Sequence, residues 1–271
     1  MSFRSLLEAR WRESNSLLCV GLDPDPSRLT SHYSPDVDGV EYFCTDIVDA
    51  TAQYACAFKP QIAYFAAIGA EQQLERIIAH IRSNYPTIPV ILDAKRGDIG
   101  DTAHKYATEA FDRYGAHAVT VNPYMGGDTI EPYLVHQRGA AIVLCRTSNA
   151  GSGEFQSQLI DGKPLYQHVA ERATNHWSKI GDVSLVVGAT YPEELRDVRA
   201  IVGDMPLLVP GVGAQGGNLQ DVCKYGMTKD VGLLINSSRG IIYASNQEDF
   251  AQTAAQKAEA LQKEMQAILE A

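Results

Sequence analysis

The amino-acid sequence predicts an α/β protein that folds as a single (β/α)8 TIM barrel with an extra N-terminal helix. Short apolar runs alternate with helix-length amphipathic stretches along all 271 residues. The runs are rich in Leu and β-branched residues, which is typical of strands buried on both faces of a parallel sheet. No linker, low-complexity segment or internal repeat interrupts the pattern, so we expect one domain over residues 1–271. A doubly wound open sheet is the alternative fold.

Eight apolar runs are each predicted to form one strand. In chain order they are Leu17–Asp23, Ala57–Ile62, Val90–Lys95, Ala118–Asn122, Ala140–Arg146, Ser184–Ala189, Leu207–Val212 and Gly232–Ser237. Parallel neighbours require a crossover between successive strands, and the intervening stretches are long enough to be helices.

The stretches between and around the runs carry helical patterns. Residues 1–12 form an amphipathic segment, and Glu71–Tyr85 has an apolar stripe at helical spacing. Pro192–Val202 follows Thr190, a candidate N-cap. Ser245 and Glu248 have the spacing of a capping box and predict the start of the last helix.

Two long irregular stretches, residues 24–38 and 149–163, each follow a predicted strand directly. Barrels of this kind carry function in the loops at the carboxyl ends of their strands. We therefore expect the functional site at that end.

The composition excludes several classes of protein. The net charge is -10, with 23 Lys and Arg against 33 Asp and Glu, which disfavours a nucleic-acid binder. No apolar run approaches the length of a membrane span, and the N-terminus lacks the apolar region of a secretion signal. The five cysteines include no Cys-x-x-Cys pair and are predicted to be reduced thiols. Together these features predict a cytoplasmic protein.

Polar and charged residues collect where the predicted strands end. They are Asp23, Lys59, Asp93, Lys95, Asn122, Arg146, Ser148, Thr190, the glycine-rich loop 211–217, Ser237 and Arg239. Burying an ionised group without a partner is costly, so charges concentrated at one end of a barrel indicate a site.

The most informative segment follows the third strand. Asp93 and Lys95 are two residues apart on a strand, so their side chains are expected on the same face, inside the barrel. Asp98 lies in the turn beyond. Flanking carboxylates favour the ammonium form of Lys95, which makes it a proton donor more than a general base. A purely structural ion-pair network is the alternative interpretation.

This segment, Asp93-x-Lys95-x-x-Asp98-Ile-Gly-x-Thr102, closely resembles the signature of the orotidine 5'-phosphate decarboxylase family. Further motifs resemble its longer, mostly bacterial branch, type 2. They are Gly-Leu-Asp-Pro-Asp-Pro at 21–26, Phe-Lys-Pro-Gln at 58–61, Thr-Val-Asn-Pro-Tyr-Met-Gly-Gly-Asp at 120–128, Cys-Arg-Thr-Ser-Asn at 145–149 and Pro-Gly-Val-Gly-Ala-Gln-Gly-Gly at 210–217. One departure is Ala150, where the family pattern has Pro.

The resemblance implies decarboxylation of orotidine 5'-monophosphate to UMP and CO2, without a cofactor. It assigns proton donation at C6 to Lys95, and an array of alternating charges to Lys59, Asp93 and Asp98. It also implies a homodimer in which Asp98 and Thr102 reach the partner's site.

The resemblance further implies how the substrate is held. Gly213, Gln215 and Arg239 match phosphate-contacting positions, and loops after the seventh and eighth strands of barrels commonly bind phosphate. Asp23 and Asn122 are assigned to the ribose and nearby polar groups. Ser148 is assigned to the pyrimidine edge.

Two other functions stay open. One is a Mg2+-dependent sugar-phosphate lyase or decarboxylase of the same superfamily, although Lys59 stands where those enzymes have an acidic ligand. The other is a non-catalytic nucleotide-binding barrel. We expect no metal site, because the seven histidines show no paired ligand spacing. The Gly-x-Gly-x-x-Gly match at 211–216 lies in the seventh unit, so it does not indicate a dinucleotide fold.

Overall fold

The computed structural model of the chain describes residues 2–136, 139–212 and 216–270. Its main feature is a barrel of eight parallel strands. In chain order they are β1 (Leu18–Leu22), β2 (Ala57–Pro60), β3 (Ile91–Arg96), β4 (Ala118–Val121), β5 (Ala140–Arg146), β6 (Asp182–Val187), β7 (Leu207–Pro210) and β8 (Leu233–Ser237). Each strand lies within two residues of the limits that its apolar run predicts. The runs of β2, β6 and β7 continue two residues past the end of the strand.

The order of the strands around the sheet is β2-β1-β8-β7-β6-β5-β4-β3. The two end strands are joined by the isolated parallel pairs Phe58–Val90 and Gln61–Asp93, and the Phe58 amide donates to Pro89 O at 3.0 Å. These contacts bring β2 against β3 and close the barrel. The predicted (β/α)8 barrel is therefore confirmed, and the open doubly wound sheet is wrong.

Helices surround the barrel. They are α1 (Phe3–Ser14), α2 (Val37–Thr51), α3 (Ile62–Ala66), α4 (Glu71–Asn84), α5 (Gly100–Thr108), α6 (Glu131–Leu134), α7 (Gly153–Gln156), α8 (Leu165–Asn175), α9 (Pro192–Val202), α10 (Leu219–Gly226), α11 (Arg239–Ile242) and α12 (Phe250–Leu269). Single 3-10 turns occupy Pro26–Arg28, Pro123–Met125, Gly127–Thr129, Ala150–Ser152 and Trp177–Lys179, and a π turn spans Glu109–Arg113. A small antiparallel hairpin, Leu159–Ile160 with Lys163–Pro164, stands in the loop after β5.

One hydrophobic core runs through the barrel and its helices. The predicted stripe of α4 is buried, with Leu74, Ile77, Ile78 and Ile81 all inaccessible to solvent. The extra N-terminal helix α1 belongs to the same core through buried apolar side chains such as Trp11. Its buried Arg10 donates to the carbonyl oxygens of Ala55 at 2.9 Å and Ala52 at 2.6 Å, which satisfies backbone acceptors just before β2.

Two predicted N-caps are wrong, although α9 spans the predicted residues Pro192–Val202. The side chain of Thr190 does not cap α9, which begins at Pro192 after Tyr191 without a side-chain cap. The Ser245 hydroxyl donates to Asp249, and α12 begins only at Phe250. In both cases the predicted capping residue lies in the connection between a strand and the next helix. The capping pattern therefore falls before the helix begins.

All five cysteines are free and buried, as the sequence predicts. Burial raises the pKa of Cys19 to about 12, so its thiol stays protonated. No helix in the described parts of the chain is long and apolar enough to cross a membrane.

A partly buried histidine just before β4 is hydrogen-bonded to the residue just before β3. His117 Nδ1 accepts a hydrogen bond from the Val90 amide at 3.0 Å, so the ring is neutral. Burial, together with the charge of Arg82, lowers the pKa of His117 to about 4. Because the unfolded chain binds this proton at higher pH, the stability due to His117 is complete above its ordinary pKa and is lost as the pH falls toward 4.

We expect the free energy of unfolding to fall by about 1–2 kcal/mol from this group between pH 7 and pH 5. A His117→Asn variant offers an acceptor that does not titrate, so this part of the pH dependence should disappear. Urea titrations at the two pH values measure it. The exposed His176→Asn variant is the control, and an unchanged pH dependence in His117→Asn would contradict the assignment.

Candidate active site

Three charged side chains meet at the carboxyl end of the barrel. Lys59 at the end of β2 places its Nζ 2.8 Å from Asp93 Oδ2 on β3. Lys95, also on β3, places its Nζ 2.6 Å from Asp93 Oδ1. One carboxylate therefore bridges two ammonium groups, and we call Lys59, Asp93 and Lys95 the ion triad.

Burial and charge act in opposite directions within the ion triad. Burial on its own favours the neutral forms of Lys59 and Asp93. The attraction between them outweighs it, with contributions from Lys95 on Asp93 and from Asp23 on Lys59. The pKa of Asp93 is consequently held well below the ordinary value for an aspartate, and the pKa of Lys59 is raised above the ordinary value for a lysine. Both residues are charged at neutral pH.

The two lysines differ in exposure. The side chain of Lys59 is 6% exposed, whereas that of Lys95 is 48% exposed. Lys95 is therefore the member of the ion triad that a ligand entering the barrel mouth reaches. Lys59 pairs with Asp93 on the buried side.

The convergence of Asp93 and Lys95 is confirmed, but simple strand alternation does not produce it. β3 bulges against β4: Leu92 pairs with Val119 and Arg96 with Val121, so β3 carries two extra residues between these pairs. Lys95 takes a left-handed backbone conformation there, with φ of 48°. Such a conformation is uncommon outside glycine and costs on the order of 1 kcal/mol, which marks the position as constrained by its surroundings.

Asp98 does not reach the ion triad of its own chain. It lies in the turn between β3 and α5, and its Oδ1 accepts from the following amide, of Ile99, at 2.8 Å, the one hydrogen bond of this side chain among the described residues. Thr102 is exposed in the first turn of α5. Both residues lie on the surface beside the barrel mouth.

Asp23 and Arg239 line one cavity of about 400 Å³, whose other side is formed by α12 residues such as Leu261; the ion triad is not part of its lining. Asp23 follows β1, its Oδ2 accepts from the Ser238 hydroxyl at 2.7 Å, and its Oδ1 is buried without a hydrogen bond among the described residues. Arg239 is exposed at the start of α11. Gly211 completes this wall, while the predicted residues Gly213 and Gln215 lie outside the described residues.

Asn122 and Ser148 follow β4 and β5. The side-chain oxygen Oδ1 of Asn122 accepts from the Tyr124 amide at 3.0 Å and so caps the turn after β4. Ser148 is partly buried and packs tightly on Gly188, where an added Cβ would approach the Ser148 Cβ to 2.8 Å. The glycine thereby lets the loop after β5 approach the end of β6.

Two arginines near the site are held by partners. Arg146, 3% exposed, donates to Glu194 on α9 and to Ser152, and its guanidinium stacks over the Tyr191 ring at 4.3 Å. Arg96 forms a double hydrogen bond with Glu109, at 3.1 and 3.0 Å. Arg146 therefore anchors the loop after β5, and Arg96 anchors the turn after β3.

Sequence reasoning identified the ion triad but missed one residue that supports it and one that supports the loop after β5. Thr120 on β4 is buried and donates to Asp93 at 2.8 Å. Glu194 is the partner of Arg146. Both look like ordinary strand or helix residues in the sequence, and only their proximity in the fold reveals them. Within the described residues, no group of three or more His, Cys, Asp or Glu side chains is placed to hold a metal ion.

Comparison with known proteins gives consistent results over nearly the whole chain. The model of the Orotidine 5'-phosphate decarboxylase / HUMPS family matches residues 16–254. The orotidine 5'-phosphate decarboxylase of Ralstonia nicotianae is 58% identical over 255 residues, 94% of each chain. That of Janthinobacterium sp. is 56% identical over 259 residues, 95% of this chain and 96% of the other.

Solved structures are similar over the same extent. The OMP decarboxylase of Leishmania donovani superposes with a TM-score of 0.88 at 40% identity and covers 100% of both chains. A putative orotidine-monophosphate-decarboxylase from Toxoplasma gondii has a TM-score of 0.88 at 38% identity, covering 100% of this chain and 99% of the other.

We expect Glu194→Gln to lower the free energy of unfolding by about 2–3 kcal/mol, because it leaves the buried Arg146 guanidinium without a countercharge. Proteolytic cleavage in the loop after β5 should become faster at the same time. The exposed neighbour variant Glu193→Gln is the control. Equal stability of the two variants, measured by urea denaturation, would show that the Arg146–Glu194 pair does not anchor the loop.

Proposed function

This chain belongs to the orotidine 5'-phosphate decarboxylase family, and from that premise we propose how its residues carry out the reaction. The enzyme is a carboxy-lyase of pyrimidine biosynthesis that converts orotidine 5'-monophosphate to UMP and CO2. The observation that supports the proposed mechanism most directly is the ion triad, with one buried and one accessible ammonium on a shared carboxylate.

Loss of CO2 leaves a pair of electrons at C6 of the pyrimidine, where no π-system in line can delocalise it. Stabilisation must then come from fixed charges beside C6. Lys95 supplies an ammonium group there and transfers its proton to C6 after the carbon–carbon bond breaks. The greater exposure of Lys95 supports this choice over Lys59.

Asp93 and Lys59 hold Lys95 in place. The Asp93 carboxylate accepts from both ammonium groups, so the charges are oriented before the substrate arrives and little reorganisation accompanies the reaction. The ion triad carries two positive charges and one negative charge. It therefore attracts the substrate carboxylate and then the developing carbanion.

The remaining assignments concern binding of the phosphoribosyl group. Arg239, Gly213 and Gln215 bind the phosphate, since an exposed arginine forms paired hydrogen bonds with phosphate oxygens and glycines leave backbone amides accessible. Asp23 binds the ribose, and its position on the same cavity wall as Arg239 supports this. Asn122 contacts the ribose side of the substrate. Ser148 contacts the pyrimidine edge, from a loop anchored by Arg146.

The active form is a homodimer in which Asp98 and Thr102 enter the partner's site. Asp98 has no ion pair within 4 Å among the described residues, although it lies beside a lysine-rich site. The neighbouring loops after β3 and β4 expose large apolar side chains: Ile99 at 58%, Tyr124 at 81% and Met125 at 47%. Such a patch is typical of a surface that another protein covers.

We further propose that residues 1–271 act as one catalytic domain, that no cofactor takes part, and that the enzyme works in the cytoplasm. The continuous core from Phe3 to Met265 supports the first point. The five free thiols are in keeping with a reducing compartment.

The mechanism predicts turnover of orotidine 5'-monophosphate in the presence of EDTA, followed by its ultraviolet absorbance. Lys95→Ala should lose about 1,000-fold or more in kcat, because both the fixed charge and the proton donor are removed. UMP should still bind. The exposed Lys179→Ala variant is the control and should match the wild type.

Other outcomes of this assay favour the other functions. Activity that needs Mg2+ and a sugar phosphate would place the chain with the metal-dependent members of the superfamily. UMP binding without turnover by the wild type would indicate a nucleotide-binding barrel. Wild-type turnover with a fully active Lys95→Ala would contradict the role of Lys95 alone.

The shared site predicts complementation between inactive subunits. Subunits with Lys95→Ala and with Asp98→Ala are mixed, unfolded and refolded together. Mixed dimers then contain one intact site, made from the Lys95 of one subunit and the Asp98 of the other. Activity should recover to about a quarter of wild type, since half of the dimers are mixed and each has one intact site of two.

Mixing Lys95→Ala with Asp93→Asn is the matched control, because both residues act in the same subunit's site and no dimer is complete. Recovery in the control but not in the test pair would contradict the exchange of Asp98. So would the absence of recovery in both, provided the mixed dimers form.

A further inference from the structure

The bulge in β3 leaves backbone amides next to the reacting groups without their usual partners on β4. Between the pairs Leu92–Val119 and Arg96–Val121, three residues of β3 face only Thr120 on β4. Regular ladder bonds therefore do not serve the amides of Ala94 and Lys95. These amides are shielded in part from water, and an amide in such a place without an acceptor is costly, so another group must satisfy them.

The hydroxyl of Thr120 satisfies them both. Its Oγ1 accepts from the Ala94 amide and from the Lys95 amide, each at 2.9 Å. It also donates its proton to Asp93 Oδ1 at 2.8 Å. A hydroxyl has one proton and two lone pairs, so the whole hydrogen-bonding capacity of Thr120 is used. The side chain is 1% exposed, so water does not compete for these bonds.

Two reacting groups are thus fixed through one atom. The bonds to the amides hold the bulge in which Lys95 has its left-handed conformation. The bond to Asp93 fixes the same carboxylate oxygen that accepts from Lys95 Nζ at 2.6 Å. The backbone and the ammonium of Lys95 are both positioned, directly or through Asp93, by the Thr120 hydroxyl.

We propose that Thr120 is a positioning residue for the decarboxylation, acting through Lys95 and Asp93 without touching the substrate. The proposal rests on the proposed function of those two residues. A small misplacement of a fixed charge is enough to reduce a rate that depends on electrostatic preorganisation. The methyl group of Thr120 contributes packing only.

The test compares Thr120→Val, which keeps the shape and removes the hydroxyl, with Thr120→Ser, which keeps the hydroxyl. For Thr120→Val we expect kcat per folded site to fall on the order of 10- to 100-fold, the cost of a lost hydrogen bond to a charged group. UMP affinity should change by less than about threefold, since the product binds mainly through its phosphoribosyl group. Thr120→Ser should regain most of the wild-type kcat.

Thr51→Val is the matched control. Thr51 is a fully buried threonine whose hydroxyl donates to the Ile47 carbonyl within α2, away from the charged residues. This variant should lose stability and keep the wild-type kcat. A stability loss alone therefore does not explain a slow Thr120→Val enzyme.

A second readout separates positioning from general damage. In a Lys95→Ala background, adding Thr120→Val should lower the residual kcat by much less than it does in the wild type, because the effect passes through Lys95. If Thr120→Val does not fold, Thr120→Ala takes its place in both comparisons, since its smaller side chain leaves room for water at the amides.

Three results would overturn the proposal: wild-type kcat in Thr120→Val, a Thr120→Ser enzyme as slow as Thr120→Val, or full additivity with Lys95→Ala. Each leaves the decarboxylase assignment intact, provided that the wild type turns over and Lys95→Ala does not. Failure of the wild type to turn over would instead contradict the proposed function itself.

Discussion

The shared carboxylate of Asp93 is the interaction on which the site depends. Removing an ion from water into a protein interior costs several kcal/mol, and only close partners offset that cost. Asp93 is 7% exposed and Lys59 is 5% exposed, so neither residue keeps its charge without the other. Lys95 completes the arrangement from the open side. The carboxyl ends of β2, β3 and β4 must therefore lie close enough for their side chains to form hydrogen bonds with one another. The closed barrel brings these three ends together.

The charge of the ion triad explains why a strongly acidic protein suits an anionic substrate. The whole chain carries a net charge of -10, yet the buried array is positive by one unit. In a site that excludes water, a local field of this kind outweighs distant surface charges that salt screens. In the homodimer proposed above, the carboxylate of Asp98 from the partner subunit would balance the array without adding to the cost of folding a single chain.

Most of the fold could be predicted from the sequence, because strands buried on both faces leave long apolar runs that are hard to mistake. The ion triad was predictable for a related reason: charged residues directly after such runs are conspicuous. The bulge at Asp93–Lys95 could not be predicted. It arises because β3 and β4 pair with a shifted register, and the sequence of neither strand alone shows that shift. The capping roles predicted for Thr190 and Ser245 were wrong because a capping pattern is local, whereas the residue that caps a helix depends on how the chain leaves the barrel. Arg146 and Glu194 are 48 residues apart, and only the fold shows that they are partners.

The proposed mechanism puts the reacting lysine on a strand and the phosphate-binding residues beyond the ends of the strands, and this difference has a mechanical consequence. Lys95 is fixed by β3, by Asp93 and by the Thr120 hydroxyl, all of which belong to the barrel itself. Gly211 and Arg239, by contrast, lie just beyond β7 and β8, outside the barrel strands. In the proposed mechanism, the phosphate would be bound by these outer segments while the ammonium stays fixed on the barrel. A lysine carried on a mobile loop would have to be positioned anew in every catalytic cycle, and part of the binding energy would be consumed in doing so.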